Sequence, residues 1–206
     1  TFISGNAIEG ARFRVGGTTT TAFSKRLFLE GYAAYGTTDR KIKYDALIEY
    51  SFNDKKEYRK EFPVNSIRLE YLYDINQLGQ QYMYTNKDNI FLTWKRQRDT
   101  RATYLRNAEL TYYREHYNGI AYGAVLRNKK EYSTDYAVFD RIEEDGRITP
   151  IKSYSMTELE FKFRYAPNEK FYQTRNYRYP ITFDAPVITL NHITARKGVL
   201  GADYTY

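Results

Sequence analysis

The segment Glu158-Leu159-Glu160-Phe161-Lys162-Phe163-Arg164-Tyr165 alternates without a break. Leu159, Phe161, Phe163 and Tyr165 take every second place, and Glu158, Glu160, Lys162 and Arg164 take the places between. A period of two puts alternate side chains on opposite faces of a strand. The segment therefore predicts a strand within residues 153–165, with one apolar, aromatic face and one face of mixed charge.

The same two-faced pattern extends along most of the chain. Residues 43–52 place Tyr44, Ala46, Ile48, Tyr50 and Phe52 opposite Lys43, Asp45, Leu47, Glu49 and Ser51. In residues 67–74, Ile67, Leu69, Tyr71 and Tyr73 oppose Arg68, Glu70, Leu72 and Asp74. Residues 27–36 set Leu27, Leu29, Gly31, Ala33 and Tyr35 against Phe28, Glu30, Tyr32 and Ala34, and the small residues permit close approach of a plug or a neighbouring strand. Residues 11–23 read as one strand with a bend at Gly16-Gly17. Residues 104–115 and 120–127 form a pair around the turn Tyr117-Asn118-Gly119. Shorter strands are predicted at 90–94, 136–142, 187–194 and 200–206, with loops at 53–63, 128–150 and 166–183. The total is about ten strands, and the helical period of 3.6 is sustained nowhere.

Composition narrows the classes. At 206 residues the chain fits one domain or part of a larger one. Mean hydropathy is −0.73, and no run approaches the roughly 18 apolar residues of a membrane helix. A membrane barrel stays open, because its strands alternate and average polar. The chain has no cysteine, which removes disulfides and thiolate metal sites. The 32 Lys and Arg exceed the 25 Asp and Glu, but the acids are interleaved, as on a solvated mixed surface.

Successive up-and-down strands must hide their edges, and closure into a barrel does so directly. A soluble barrel turns its apolar faces inward; a membrane barrel turns them to lipid. Alternation alone does not separate the two. Three signals favour the membrane: strands near the nine to eleven residues that cross a bilayer, tyrosines towards strand ends, and acid–base neighbours such as Arg68/Glu70 and Glu160/Lys162 on the opposite faces. The expected fold is all-β, an antiparallel up-and-down transmembrane barrel, with residues 1–206 as part of it. The lumen-facing candidates are Asp45, Glu49, Arg68, Glu70, Glu158, Glu160, Lys162 and Arg164. The lipid-facing candidates are Tyr44, Ile48, Tyr50, Ile67, Leu69, Tyr71, Leu159, Phe161 and Phe163.

A resemblance points the same way. Glu9-Gly10-Ala11-Arg12-Phe13-Arg14-Val15-Gly16-Gly17, Phe23-Ser24-Lys25-Arg26 and Leu29 through Asp39 resemble a recurrent block in a Bacteroidetes outer-membrane family. Lys43-Tyr44, Tyr73-Asp74-Ile75 and the tail Lys197 through Tyr204 are similar to it as well. Members of that family, whose function is unassigned, carry a carboxypeptidase-regulatory-like domain before a C-terminal barrel distantly similar to surface-antigen assembly barrels. The resemblance implies an outer-membrane location, a chain extending beyond Thr1 and Tyr206, and a structural, transport or envelope-assembly role. It implies outer-membrane lipid and lipopolysaccharide as partners, other envelope proteins as further candidates, and no nucleic acid. Arg175-Asn176-Tyr177 departs from the Arg-Gly-Tyr/Phe lumen motif of the assembly barrels.

Chemistry-bearing patterns are sparse. The two histidines, His116 and His192, stand beside no serine at a telling spacing for a hydrolase. Asp45/Glu49 and Glu158/Glu160 have the look of glycosidase acids, but ion pairing explains them more simply. Lys95, Arg96, Arg98 and Arg101 with Trp94 and Tyr104 suit single-stranded nucleic acid, lipopolysaccharide phosphate, or a plain charged loop. The expectation is a protein without catalysis, cofactor or metal. The competing reading is a soluble, basic, aromatic-rich β-domain that binds a polyanion or carbohydrate.

Overall fold

The structure, a computed structural model, describes residues 2–6, 8–77, 102–143, 145–174, 177–181 and 186–205. It is all-β. One nine-stranded antiparallel sheet holds β1 (Ile3–Asn6), β2 (Gly10–Thr18), β3 (Leu27–Gly36), β4 (Ile42–Ser51), β5 (Asn65–Gln77), β6 (Ala102–Glu115), β7 (Ile120–Tyr132), β10 (Ser153–Tyr165) and β13 (Ile188–Ala195). These strands neighbour one another in chain order. Two small hairpins stand outside the sheet: β8 (Phe139–Ile142) with β9 (Ile148–Ile151), and β11 (Phe171–Gln173) with β12 (Arg178–Pro180). No pairing joins β1 to β13 among the described residues, so the sheet is open at both edges. No helix of the structure is long and apolar enough to cross a membrane, a statement that does not bear on strands.

The meander sorts the connections onto two rims. One rim, the hairpin rim, carries the β3–β4 turn, the β7–β10 connection with β8 and β9, and the C-terminal segment after β13. The other, the loop rim, carries the β2–β3 turn, residues 52–64, the β6–β7 turn and the β10–β13 connection with β11 and β12.

The sheet curls strongly. Arg12 on β2 forks onto Asp74 on β5, with Nη1–Oδ1 and Nη2–Oδ2 both at 2.8 Å. β3 and β4 lie between them. In a flat sheet those strands would stand about 14 Å apart, with side chains perpendicular to the sheet and out of reach of one another. Tyr32 on β3 also donates to Asp74. The charged face is therefore concave. Its carboxylates Glu49, Glu109, Glu158 and Glu160 are buried.

Strand identities follow the alternation, and several boundaries differ from expectation. The predicted strand over 11–23 ends at Thr18, where Phe23 N bonds Thr20 O in a turn. β7 runs on to Tyr132, into residues expected as loop, because β6 and β10 offer it partners as far as Tyr104 and Ser153. The expected loop 166–183 contains β11 and β12. Over the described residues 200–205 the predicted strand is absent. Val199–Gly201 is a 3₁₀ turn, with Gly198, Leu200 and Gly201 at φ 86°, 49° and 79°. Three left-handed residues within four positions cannot lie in a strand. Residues 90–94 and the basic cluster Lys95 to Arg101 lie outside the described residues.

The close approach expected in β3 is that of neighbouring strands. A Cβ on Gly31 would stand 2.6 Å from Asp45 O of β4. At Gly119 (φ 81°) the β6–β7 turn presses against the carbonyl of Ala166, whose amide donates to Gly119 O at 2.8 Å.

Candidate functional site: a charge-lined concave face and its apolar reverse

Cross-strand register builds the concave face. Glu109 on β6 lies opposite Arg127 on β7, and Arg127 lies opposite Glu158 on β10. Arg68 donates to Glu109 at 2.7 Å, and so does Arg127. Arg127 also donates to Glu160 at 2.7 Å and stands 3.6 Å from Glu158, which pairs with Lys129 at 2.9 Å. Lys162 lies 3.4 Å from Glu160. Charge thus alternates in sign across four strands, β5 to β10. Glu158 and Glu160 are each 6% exposed. Buried charges at such depth are tolerable only when paired.

A second cluster closes the hairpin rim. Lys43, 0% exposed, stands 2.8 Å from Glu9 and 2.5 Å from Asp39. Both contacts are ion pairs without hydrogen-bond geometry. Tyr104 donates to Asp39 at 2.8 Å. Burial by itself would raise the Asp39 carboxyl; the adjoining Lys43 ammonium and the hydrogen bond from Tyr104 outweigh it and hold the group below the ordinary carboxylate range. At the loop rim, Arg59 from residues 52–64 reaches Glu30 at 2.7 Å and Glu49 at 3.4 Å. Lys55 is buried there and donates to the carbonyls of Glu61 and Pro63. Its burial lowers the ammonium pKa although Glu61, Glu115 and Glu49 oppose the shift. Arg178 of β12 forks onto Glu115 of β6 at 2.7 and 2.9 Å, and Arg164 pairs with Glu169 at 2.7 Å. A small cavity of about 60 Å³ lies beneath these groups, lined by Phe62, His116 and Phe171 among others.

The reverse face has its own order. Leu29, Ile48, Leu69, Leu110, Leu126 and Leu159 are successive register partners across six strands. Ile48 is 50% exposed and Leu69 53%. On the loop-rim side of this aliphatic row lie Tyr50, Ile67, Tyr112, Ala124 and Phe161, again in register. Tyr50, Phe52 and Tyr112 meet edge to face at 5.4 and 6.5 Å. On the hairpin-rim side Tyr44 meets Tyr71 and Tyr73 at 5.9 Å, and Tyr73 stacks on Tyr104 at 6.0 Å. An aliphatic midline is thus flanked by tyrosines on both sides.

Comparison with known protein families, with curated proteins and with solved structures finds no match.

Each sequence candidate can be placed. Asp45, Glu49, Arg68, Glu70, Glu158, Glu160, Lys162 and Arg164 share the concave face; Tyr44, Ile48, Tyr50, Ile67, Leu69, Tyr71, Leu159, Phe161 and Phe163 share the reverse. Asp45 keeps one buried oxygen, Oδ1, without a hydrogen-bond donor. Arg68 is 3.9 Å from its strand neighbour Glu70, but its closer partner is Glu109 across the sheet. Arg164 finds Glu169 beyond the end of β10. Sequence reading missed Glu9, Arg12, Lys43, Asp74, Glu109 and Arg127 as members of the network. Alternation against Leu110 and Leu126 carried the signal for Glu109 and Arg127; nothing in the sequence marked the loop residue Arg59. His116 packs 5.5 Å from Tyr122, and His192 is exposed on the edge strand β13. Among the described residues no hydrogen bond joins either imidazole to a serine, and no cluster of His, Asp and Glu has metal-site geometry.

Proposed function

We propose that the chain forms part of an outer-membrane β-barrel with a structural, transport or envelope-assembly role and no catalysis, of the Bacteroidetes type that its sequence resembles. The observation that carries this reading is the aliphatic row from Leu29 to Leu159, exposed at Ile48, Leu69, Leu110 and Leu126 and bordered by tyrosines, on the back of a face whose carboxylates Glu49, Glu109, Glu158 and Glu160 are buried and paired. Water penalises a contiguous exposed apolar surface of this kind; hydrocarbon does not. The dimensions agree with a bilayer. Ile42 to Ser51 covers about 31 Å along β4, which at the usual tilt of a membrane barrel spans about 23 Å, close to the roughly 25 Å height of a lipid-facing band. Tyrosines at both borders suit the headgroup level. The paired interior suits a narrow polar lumen. The open edges of β1 and β13 need further strands, since an unpaired edge in hydrocarbon leaves backbone groups without partners.

The test is transfer from urea into lipid vesicles. The expected result is antiparallel β structure and protease protection in vesicles, with precipitation when urea is diluted into buffer alone. A monodisperse folded protein in buffer without detergent or lipid would contradict the proposal.

A further inference from the structure

Nearly every cation of the concave face has a carboxylate within ion-pair distance, as Arg12, Lys43, Arg68, Arg127 and Lys129 do. On the reverse face Arg106 and Lys130 are different. They are direct register partners across β6 and β7, and among the described residues neither has a carboxylate within ion-pair distance. Tyr73 lies opposite Arg106 on β5, Tyr44 lies opposite Tyr73 on β4, and Ser155 lies opposite Lys130 on β10. The Lys130 ammonium sits 5.3 Å from the centre of the Tyr132 ring. Two carboxylates of the same rim are engaged elsewhere: Asp39 with Lys43 and Tyr104, Asp203 with Arg141 and the Ser155 amide.

The position of the pair is as informative as its charge. Arg106 is four residues from Leu110 of the aliphatic row, about 13 Å along the strand and about 10 Å along the bilayer normal at a barrel's tilt. That is just inside the edge of a lipid-facing band about 25 Å tall, from which long cationic side chains reach outward to the headgroup phosphates. An arginine presents a planar fork that matches phosphate oxygens, a lysine adds a point charge, and tyrosine hydroxyls supply neutral donors. Two like charges facing each other across a ladder repel unless an anion lies between them.

We propose that Arg106 and Lys130, within the Tyr44–Tyr73–Tyr132 belt, form a binding site for the phosphate of an anionic lipid headgroup; this rests on the membrane reading above. The occupant is a lipid rather than a free anion because the cations border the apolar band, so one molecule satisfies both surfaces.

The test compares the wild-type chain with R106Q/K130Q in phosphatidylcholine bilayers that contain spin-labelled phosphatidylglycerol, reading the fraction of label immobilised at the protein. The wild type should prefer phosphatidylglycerol over labelled phosphatidylcholine. The preference at this site should fall about fivefold for each cation removed, with Lys130→Gln alone intermediate. The charge-matched control K56Q/K60Q, on exposed loop-rim lysines, should keep it. Unchanged preference in R106Q/K130Q, or an equal loss in the control, would overturn the proposal while leaving the barrel reading intact. Displacement of the label by inorganic phosphate would reassign the site to a free anion. Failure of the wild type to enter any bilayer would overturn both readings.

Discussion

Glu70 and Glu109 face each other directly across β5 and β6, an arrangement that costs stability unless a cation intervenes. Arg68 is that cation, at 2.7 Å from Glu109 and 3.9 Å from Glu70. Glu109 in turn accepts from Arg127 and Thr111, so one carboxylate holds three donors. Glu109→Ala should therefore cost about 3 kcal/mol, chiefly by leaving Arg68 and Arg127 short of a partner; urea unfolding in vesicles measures it, and a cost under about 0.5 kcal/mol would mean the network is water-screened. On the reverse face the expected pattern is set by depth. Ile48→Arg should cost about 2–4 kcal/mol near the midplane, and Phe52→Arg, nearer the tyrosine border, about 1 kcal/mol or less. Equal costs at the two positions would contradict the assigned midline. Pairing partners such as Glu109 with Arg68 were hidden from the sequence because they depend on register. Arg68/Glu70, two apart on one strand, was visible there but is the weaker contact.

Individual elements show what periodicity can and cannot convey. β4 was legible almost residue by residue, since ten alternating positions fix which side chains share a face. The hairpin of β11 and β12 was not, because three-residue strands are too short for a period to register. The tail was misread for another reason: Leu200 adopts a left-handed conformation that nothing in its side chain announces, and the segment is tied to β10 by Asp203, whose carboxylate takes the Ser155 amide at 2.7 Å. The β6–β7 turn was read correctly from Asn118-Gly119. Gly119→Ala should destabilise that hairpin, because the added methyl meets the Ala166 carbonyl at a positive φ; a cost of about 1–3 kcal/mol in the same unfolding measurement is expected, and an unchanged midpoint would contradict the tight contact. The β3–β4 hairpin carries a pH dependence. Asp39 has a depressed pKa in the folded chain, so its stabilisation is complete above the ordinary value near 3.9 and is lost as pH falls below it. Exchange protection of the Arg40 amide, which bonds Gly36 O at 3.1 Å, should hold at neutral pH and decline below about pH 4. Protection that is flat through the acid range would show that Asp39 does not hold the hairpin.

At the scale of the whole molecule, two faces exchange the usual roles of inside and outside. The concave face buries Glu9, Lys43, Glu49 and Glu160, and the convex face exposes Ile48, Leu69 and Phe161. Strand alternation announced that there were two faces; only the curl, seen in the Arg12–Asp74 contact across three strand spacings, says which one is inside. The sidedness can be read directly, because the chain has no cysteine and accepts single probes without background. Single cysteines at Asp45, Ala46, Leu47, Ile48, Glu49 and Tyr50, each labelled with an environment-sensitive fluorophore in vesicles that contain nitroxide-labelled lipid tails, test it residue by residue. Quenching should be strong at 46, 48 and 50 and weak at 45, 47 and 49. The opposite alternation, or none, would contradict a lipid-facing convex surface.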